Sequence, residues 1–387
     1  MSRVRAALWQ WLDQRFHLGP LADALQQNLR KIVPPHVNWL FTLGAMLAAL
    51  LVVQLGTGTL LMVYYKPSSA QAHHSIEHLS YEVPLGWFIR SLHAWGSHLI
   101  VGLALLHLTR VYVYGGYKKP RELTWATGVL LLGLLLGFGF TGYLLPWDQV
   151  AYWATVVVTQ APASIPWVGP WMREFLIGGS EVADATLGRF FVVHVILLPL
   201  LLLGLMGLHL LLVRWLGIST LGRTDEPAPD PEVLRQQGGH PFVPYHLLKD
   251  LSAICAVLGL LCTLALLWPS QVGEPADPLR TPVGIKPDWY FLPAYQFLKY
   301  VPEALGVLAP PLFFLGLLFL PLFLDRSPER HPGRRPRALL AAALAGAFLL
   351  LLGVLGHLSE TSRTFMGRTY HFDIRGWPQQ VAPGEGP

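Results

Sequence analysis

Four histidines in two pairs carry the chemistry to be expected of this chain. His93 and His107 lie fourteen positions apart in one apolar segment, and His194 and His209 fifteen apart in another. At 100° per residue, fourteen helical steps end about 40° from the starting direction and fifteen about 60°, over a rise of roughly 21–22 Å. Each helix therefore offers two imidazoles on nearly one face, at two matching depths. Two such helices side by side bracket two stacked haems, each iron taking one axial histidine from each helix. An iron held by two histidines has no open position. It carries electrons and binds no substrate at the metal.

Glycines repeat the same interval. Gly44 and Gly58 are fourteen apart in one further segment, and Gly128 and Gly142 in another. Glycine costs a helix stability, and its use there is close approach. Two levels of glycine let two flat macrocycles pack against bare backbone. Arg90 and Arg189 precede the outer histidines, and Arg110 and Arg214 follow the inner ones. Each is a candidate partner for a haem propionate, with snorkelling at a helix end as the alternative. His98 points about 140° away from His93 and about 180° from His107. It reads as an interhelical hydrogen-bonding group.

These residues need long apolar helices to hold them, and the composition supplies them. Hydrophobic residues make up 53% of the 387 positions and charged residues only 13%; a soluble chain is about a quarter charged. Seven apolar runs, at 39–63, 88–112, 124–146, 190–215, 247–268, 304–324 and 338–358, each approach or exceed the ~20 residues that cross a hydrocarbon core as a helix. Backbone groups in lipid must pair internally, so these runs predict helices. The expected fold class is an all-α integral membrane protein with seven transmembrane helices, a four-helix di-haem bundle followed by a three-helix C-terminal unit. Residues 1–218 form the first domain, 219–244 a linker rich in proline and acid, 245–358 the second domain, and 359–387 a polar tail. Cys255 and Cys262, seven apart on the fifth span, are too far apart for a disulfide and read as packed apolar thiols.

Loop charge predicts orientation. Arg3, Arg5, Arg15, Arg30 and Lys31 lie before the first span, Lys118, Lys119 and Arg121 in the second loop, and Arg326, Arg330, Arg334, Arg335 and Arg337 in the sixth. With seven spans these fall on one side, which the positive-inside rule makes cytoplasmic. The N-terminus is then cytoplasmic, His93 and His194 lie near the outer face, and His107 and His209 near the inner. The expected location is a bacterial cytoplasmic membrane, and no nucleic-acid partner is expected.

The two histidine spacings resemble those of cytochrome b of the quinol-oxidising cytochrome bc complexes. The fifteen-residue interval is more like the b6f type. Local motifs share the resemblance: Val33-Pro34-Pro35-His36-Val37-Asn38, residues 118–125, and residues 141–149 through Tyr143-Leu144-Leu145-Pro146-Trp147-Asp148. Residues 273–278 and Pro287-Asp288-Trp289-Tyr290 resemble the three-helix subunit IV, so two family subunits look fused in one chain. The resemblance implies two non-covalent b-type haems and a quinol pocket near the outer face. That pocket is formed by the segment after Trp147 and by Pro287, Asp288, Trp289 and Tyr290, with Asp288 and Tyr290 as its catalytic pair. One electron goes to a Rieske iron–sulfur protein and on to a c-type cytochrome or similar acceptor. The other crosses through the outer and inner haems to a quinone at the inner face. The resemblance implies further that protons are translocated and that the complex is a homodimer. The family motif usually has glutamate where Asp288 stands; among relatives the aspartate form accompanies lower-potential quinones such as menaquinone. The b6f type also attaches an extra haem through a cysteine at the position of Thr42, which has no thiol. A di-haem membrane anchor linking a dehydrogenase to the quinone pool is the other functional class. Such anchors lack the three-helix extension and its Pro-Asp-Trp-Tyr loop.

Overall fold

The computed structural model describes residues 3–29, 31–282 and 284–381; Arg30 and the last six tail residues lie outside the described residues. Helices α1 (Arg3–Phe16) and α2 (Leu18–Leu29) precede strand β1 (Ile32–Val33). The first span starts as a single 3-10 turn, where the Asn38 side chain accepts from Leu40 N at 2.9 Å, and continues as α3 (Leu43–Met62). Helix α4 (Ala72–Tyr81) leads into α5 (Gly86–Val113), the second span, and α6 (Glu122–Tyr143) is the third. The connection to the fourth is helical: α7 (Gln149–Gln160), α8 (Gly169–Ile177) and α9 (Asp184–Val192). Helix α9 passes through a wide π-turn, Val193–Leu197, into α10 (Leu198–Leu216).

The second part begins with α11 (Pro231–Gln236) and β2 (His240–Pro241), which pairs antiparallel with β1. Three helices follow, α12 (Leu247–Leu267), α13 (Leu292–Leu298) and α14 (Glu303–Leu318), and then α15 (Pro336–Leu358). The tail is not a featureless polar extension. It forms an antiparallel sheet of β3 (Thr361–Phe365), β4 (Arg368–Phe372) and β5 (Pro378–Gln380).

Among the described residues, six helices are long and apolar enough to cross a membrane. The run expected at 304–324 is shorter as a helix. Pro310 and Pro311 sit inside the 16 residues of α14, and a π-turn at Leu320–Leu324 completes it. Proline removes a backbone donor and crowds the preceding turn, so the regular ladder does not run through the whole segment. The spans carry apolar residues on their outward faces as well: Leu200, Leu201 and Leu203 of α10 are exposed. In water such a surface is an aggregation liability; in lipid it is solvated. Cys255 and Cys262 are exposed on α12 and do not pack inside the bundle.

Helix α3 packs on α5, and α6 on α10. Leu50 and Leu51 of α3, Ile100 and Val101 of α5, Leu131 of α6, Leu202 of α10, and Val257 and Leu261 of α12 meet in one buried cluster. It fills the middle of the bundle, between the two histidine levels, and ties the second part to the first. A buried polar joint adds to this at the basic end. Lys118 Nζ lies 2.6 Å from Asp325 Oδ1 and Arg335 Nη2 3.0 Å from Asp325 Oδ2, while the Tyr117 hydroxyl donates to the same carboxylate. Burial pushes the Asp325 carboxyl up, but the hydrogen bonds from Lys118 and Tyr117 and the Arg335 charge hold it down at about 2. At the opposite end the tail sheet is clamped to α13. Buried Gln296 donates to Arg375 O at 2.8 Å, the Tyr300 hydroxyl to the same carbonyl at 2.5 Å, and Lys299 to Ser359 Oγ at 3.2 Å.

Candidate functional site

The four histidines meet across α5 and the α9–α10 span. The rings of His93 and His194 have centroids 6.4 Å apart, at 69° to one another. A metal–imidazole nitrogen bond is about 2.0–2.1 Å, and two such bonds plus the two ring half-widths span about 6 Å. The pair is therefore spaced to hold one metal ion between its Nε2 atoms. His107 and His209 line a shared cavity of about 1650 Å³ toward the basic end.

The unequal spacings are reconciled by the π-turn. Leu198 N donates to Val193 O, five residues back, and His194 lies inside that turn. A π-turn accommodates one extra residue in an α-helix. The fifteen positions from His194 to His209 thus rotate as fourteen would, about 40° of net turn. Both pairs then present the same geometry. Pro199, in the first turn of α10, lacks the N–H that a regular ladder would need there.

Each glycine of the fourteen-residue repeat faces one histidine on the helix packed against its own. A β-carbon at Gly58 would stand 3.2 Å from His93 Cε1, at Gly128 3.3 Å from His209 Cε1, and at Gly44 3.5 Å from His107 Cε1. At Gly142 it would stand 2.6 Å from His194 Cε1. Alanine at Gly142 must displace the imidazole, whereas at Gly44 it makes an ordinary contact. On the expectation that the two histidine pairs hold two haems, Gly142→Ala should lose much of the one beside His194, at an overpacking cost of about 1–3 kcal/mol. Gly44→Ala should keep both. Haem content of the two purified variants is the measurement; equal retention would show that the close approach is not needed.

Three threonines directly before these glycines fix the imidazoles. Thr57 Oγ1 lies 2.9 Å from His93 Nδ1, Thr127 Oγ1 2.9 Å from His209 Nδ1, and Thr141 Oγ1 3.1 Å from His194 Nδ1. Each hydroxyl gives its own proton to a carbonyl one turn back: Val53 at 2.8 Å, Leu123 at 3.0 Å and Gly137 at 2.8 Å. A hydroxyl has one proton to give. The oxygen must then accept from Nδ1–H, which leaves the Nε2 lone pair free for a metal. Second-shell acceptors of this kind orient metal-binding histidines. The glycine reading passed over these threonines, although Thr-Gly at 57–58, 127–128 and 141–142 was there to be read. The fourth glycine, Gly44, follows Leu43. Here Arg110 Nη2 lies 3.4 Å from His107 Nδ1.

Of the four arginines, two face the basic-end cavity. Arg110 and Arg214 line it, and the buried Arg110 Nε makes no hydrogen bond among the described residues. Arg110 also stacks over Phe41 at 4.4 Å. The other two are engaged in the scaffold. Buried Arg90 donates to Ser270 O, bridging α5 to the segment after α12, and Arg189 donates to Phe175 O at the end of α8. The cavity wall also holds a pair that sequence reasoning missed, His246 and Asp250, with Nε2 and Oδ1 3.7 Å apart. His246 is buried, and its Nδ1 makes no hydrogen bond among the described residues. One turn separates them on a helix start, the spacing that could have drawn notice.

At the opposite end, Pro287–Tyr290 precede α13, whose first turn hydrogen-bonds back to Asp288 O through Phe291 N at 2.8 Å. The Tyr290 hydroxyl donates to Asp288 Oδ2 at 2.9 Å. Burial, then the Asp288 charge, push the Tyr290 phenol well above its usual range, so it remains a donor. Its ring packs on α6 at Gly139, and Trp289, partly exposed, reaches α5 at Gly102. The segment after Trp147 joins the same region, through Ala276 N to Trp147 O at 3.1 Å and Asp277 N to Gln149 Oε1 at 2.7 Å. His98 lies between Trp95 and Tyr290, with ring centroids 5.8 and 6.2 Å away. Its buried Nδ1 makes no hydrogen bond among the described residues. Thr42, buried, donates to Trp39 O at 2.8 Å.

Residues 28–217 match the profile of the family described as "Cytochrome b/b6/petB", and residues 275–372 that of "Cytochrome b(C-terminal)/b6/petD". A "Cytochrome bc complex cytochrome b subunit" of Chlorobaculum thiosulfatiphilum is 38% identical over 353 residues, covering 90% of this chain and 80% of that one. A cytochrome b6 of Synechococcus is 44% identical over 212 residues, covering 55% of this chain and 96% of its own. A solved structure titled "Hyperthermophilic respiratory Complex III" superposes with a TM-score of 0.80 at 33% identity, covering 91% of this chain and 92% of that one.

Proposed function

The chain belongs to the cytochrome b/b6 family as a membrane subunit of a bc-type redox complex, and on that premise we propose that it oxidises quinol at the Pro287–Tyr290 end and reduces quinone at the basic end. The observation that carries this is the double histidine arrangement. One pair is spaced for a metal ion, the second lines a large cavity, and a buried apolar cluster lies between them. Bound haem at each level supplies one-electron carriers. His93 and His194 would hold one group, and His107 and His209 the other.

The protein's own residues handle the protons and the ring. Asp288 accepts a quinol proton, Tyr290 fixes the orientation of its carboxylate, and Pro287 and Trp289 form the wall. Aspartate here in place of glutamate favours a low-potential quinol such as menaquinol. In the basic-end cavity Arg110 and Arg214 supply positive charge. Asp250 and His246 stand where protons would be delivered to a quinone. We place the basic end and the N-terminus on the cytoplasmic side of a bacterial membrane. Protons are then released outside and taken up inside. One charge moved across the membrane is worth ~2.3 kcal/mol per 100 mV. The partners are a Rieske iron–sulfur protein, a c-type cytochrome or similar acceptor, and a second copy of the complex.

The test is quinol oxidation by the purified complex in sealed vesicles, with subunits identified. Quinol should reduce both b haems and an added c-type cytochrome, with protons released on the Asp288 side. Haem reduction by quinol without an iron–sulfur partner or proton release would place the chain among membrane anchors instead.

A further inference from the structure

The loop that carries Asp288 and Tyr290 is tied at both of its ends to the last part of the chain. We propose that the tail sheet is a clasp that keeps this loop in its quinol-accepting form, with Asp373, Gln296 and Lys286 as positioning residues for quinol oxidation. The proposal rests on the reading of Asp288 and Tyr290 as a quinol site.

The upstream tie is Lys286, the residue before Pro287, whose Nζ donates to His357 O at 2.8 Å. His357 lies in the last turn of α15, where carbonyls lack partners within the helix and a cation is favoured. The downstream tie runs through α13. Phe291 N and Leu292 N donate to Asp288 O at 2.8 and 3.2 Å, so α13 and the Asp288 backbone move together. From the far end of α13, fully buried Gln296 donates to Arg375 O at 2.8 Å, and the Tyr300 hydroxyl donates to the same carbonyl. That carbonyl is presented by a turn of the tail. Asp373 Oδ1 accepts from Arg375 N and Trp377 N, both at 2.9 Å, an arrangement by which aspartate commonly folds the backbone that follows it. The turn sits directly on α15, since a β-carbon at Gly376 would stand 2.7 Å from Leu355 O. A line of hydrogen bonds thus joins one carboxylate oxygen in the tail to the loop that meets quinol. Asp373 itself makes no hydrogen bond to α13 or to that loop among the described residues.

A sheet that only caps α15 would affect stability and leave the quinol kinetics of the assembled complex alone. A clasp predicts a specific change. When the binding-competent form of a site is only partly populated, apparent affinity falls by that fraction, and saturating ligand restores the competent form. Asp373→Ala and Gln296→Leu should therefore raise the KM for quinol by about three- to tenfold, for a competent fraction of about a third to a tenth, with kcat near parental. Asp288→Asn, by contrast, should act on kcat. Asp373→Asn keeps the accepting oxygen without the charge and should restore the parental KM. Lys286→Met, at the other tie, should raise KM in the same sense, and it decides the matter if the tail variants fail to assemble. The measurements are steady-state quinol oxidation by the purified complex and hydrogen–deuterium exchange of residues 287–298, which should quicken in Asp373→Ala. Parental KM in the variants that assemble would overturn the proposal, and so would faster exchange without a rise in KM. If the parental complex oxidised no quinol, the reading of the site would fall, and unchanged exchange in Asp373→Ala would then overturn the clasp by itself.

Discussion

Alanine at His93 or His194 is expected to remove one b haem and leave the other, and alanine at His107 or His209 to do the reverse. Acceptors behind a ligand are alone worth about 10- to 100-fold in metal affinity, so loss of the ligand itself must cost more. The two levels are roughly 21 Å apart along α5. Between them lies the cluster of Leu50, Leu51, Ile100, Val101, Leu131 and Leu202, which makes no use of either haem. Effects at sites so separated are close to additive. Each variant should therefore keep the fold, keep one haem, and lose quinol-driven electron transfer between the two ends. Haem quantification against protein, together with the visible spectrum of the remaining haem, is the measurement. Retention of both haems in any of the four variants would sink the assignment of that residue.

What could be read before any coordinates depended on period. Histidines and glycines at fourteen positions define faces and depths, and the apolar runs define where those faces must lie. The pairing of each glycine with one histidine across the packed helices came only with the structure, since the spacing had pointed to flat macrocycles against the glycines. The π-turn at Val193–Leu197 was not legible, because nothing in Val-His-Val-Ile-Leu departs from a helical pattern. Only the surplus residue between His194 and His209 hinted at it. The threonine contacts were not legible, because threonine is a common residue type in membrane helices and usually serves the helix backbone. Arg90 and Arg189 were placed at haem depth by sequence distance alone, which says nothing of which carbonyl a long side chain will find; both found one in the scaffold. His246 and Asp250 escaped because they sit beyond the linker, where a turn kinked at Val243 leads into α12. The tail sheet depends on contacts with α13, far away in the chain, and short polar strands carry no strong signal of their own.

Asp288→Asn is expected to keep both haems and assembly while slowing quinol oxidation by about ten- to a thousandfold. Quinol must lose two protons as it loses two electrons, and a positioned side chain that takes one contributes about 10²–10⁴ in rate. The expected loss reaches down to about tenfold, below that range, because Trp289 is exposed and water can take over some of the transfer. Tyr290 holds one carboxylate oxygen at 2.9 Å and leaves the other for substrate. An amide preserves the shape and can still accept from Tyr290, but it cannot take a proton at neutral pH. The loss should fall on kcat with the haem spectrum unchanged, which separates proton transfer from a folding defect. Asp288→Glu should retain most of the activity, since it restores the carboxylate on a longer arm. Tyr290→Phe should cost less than Asp288→Asn, because it frees the carboxylate to rotate without removing it. Stopped-flow reduction of the b haems by quinol, with the iron–sulfur partner present, is the measurement. A parental rate in the asparagine variant would mean that Asp288 does not take the proton, and the acceptor would have to be sought among the other polar groups of the pocket.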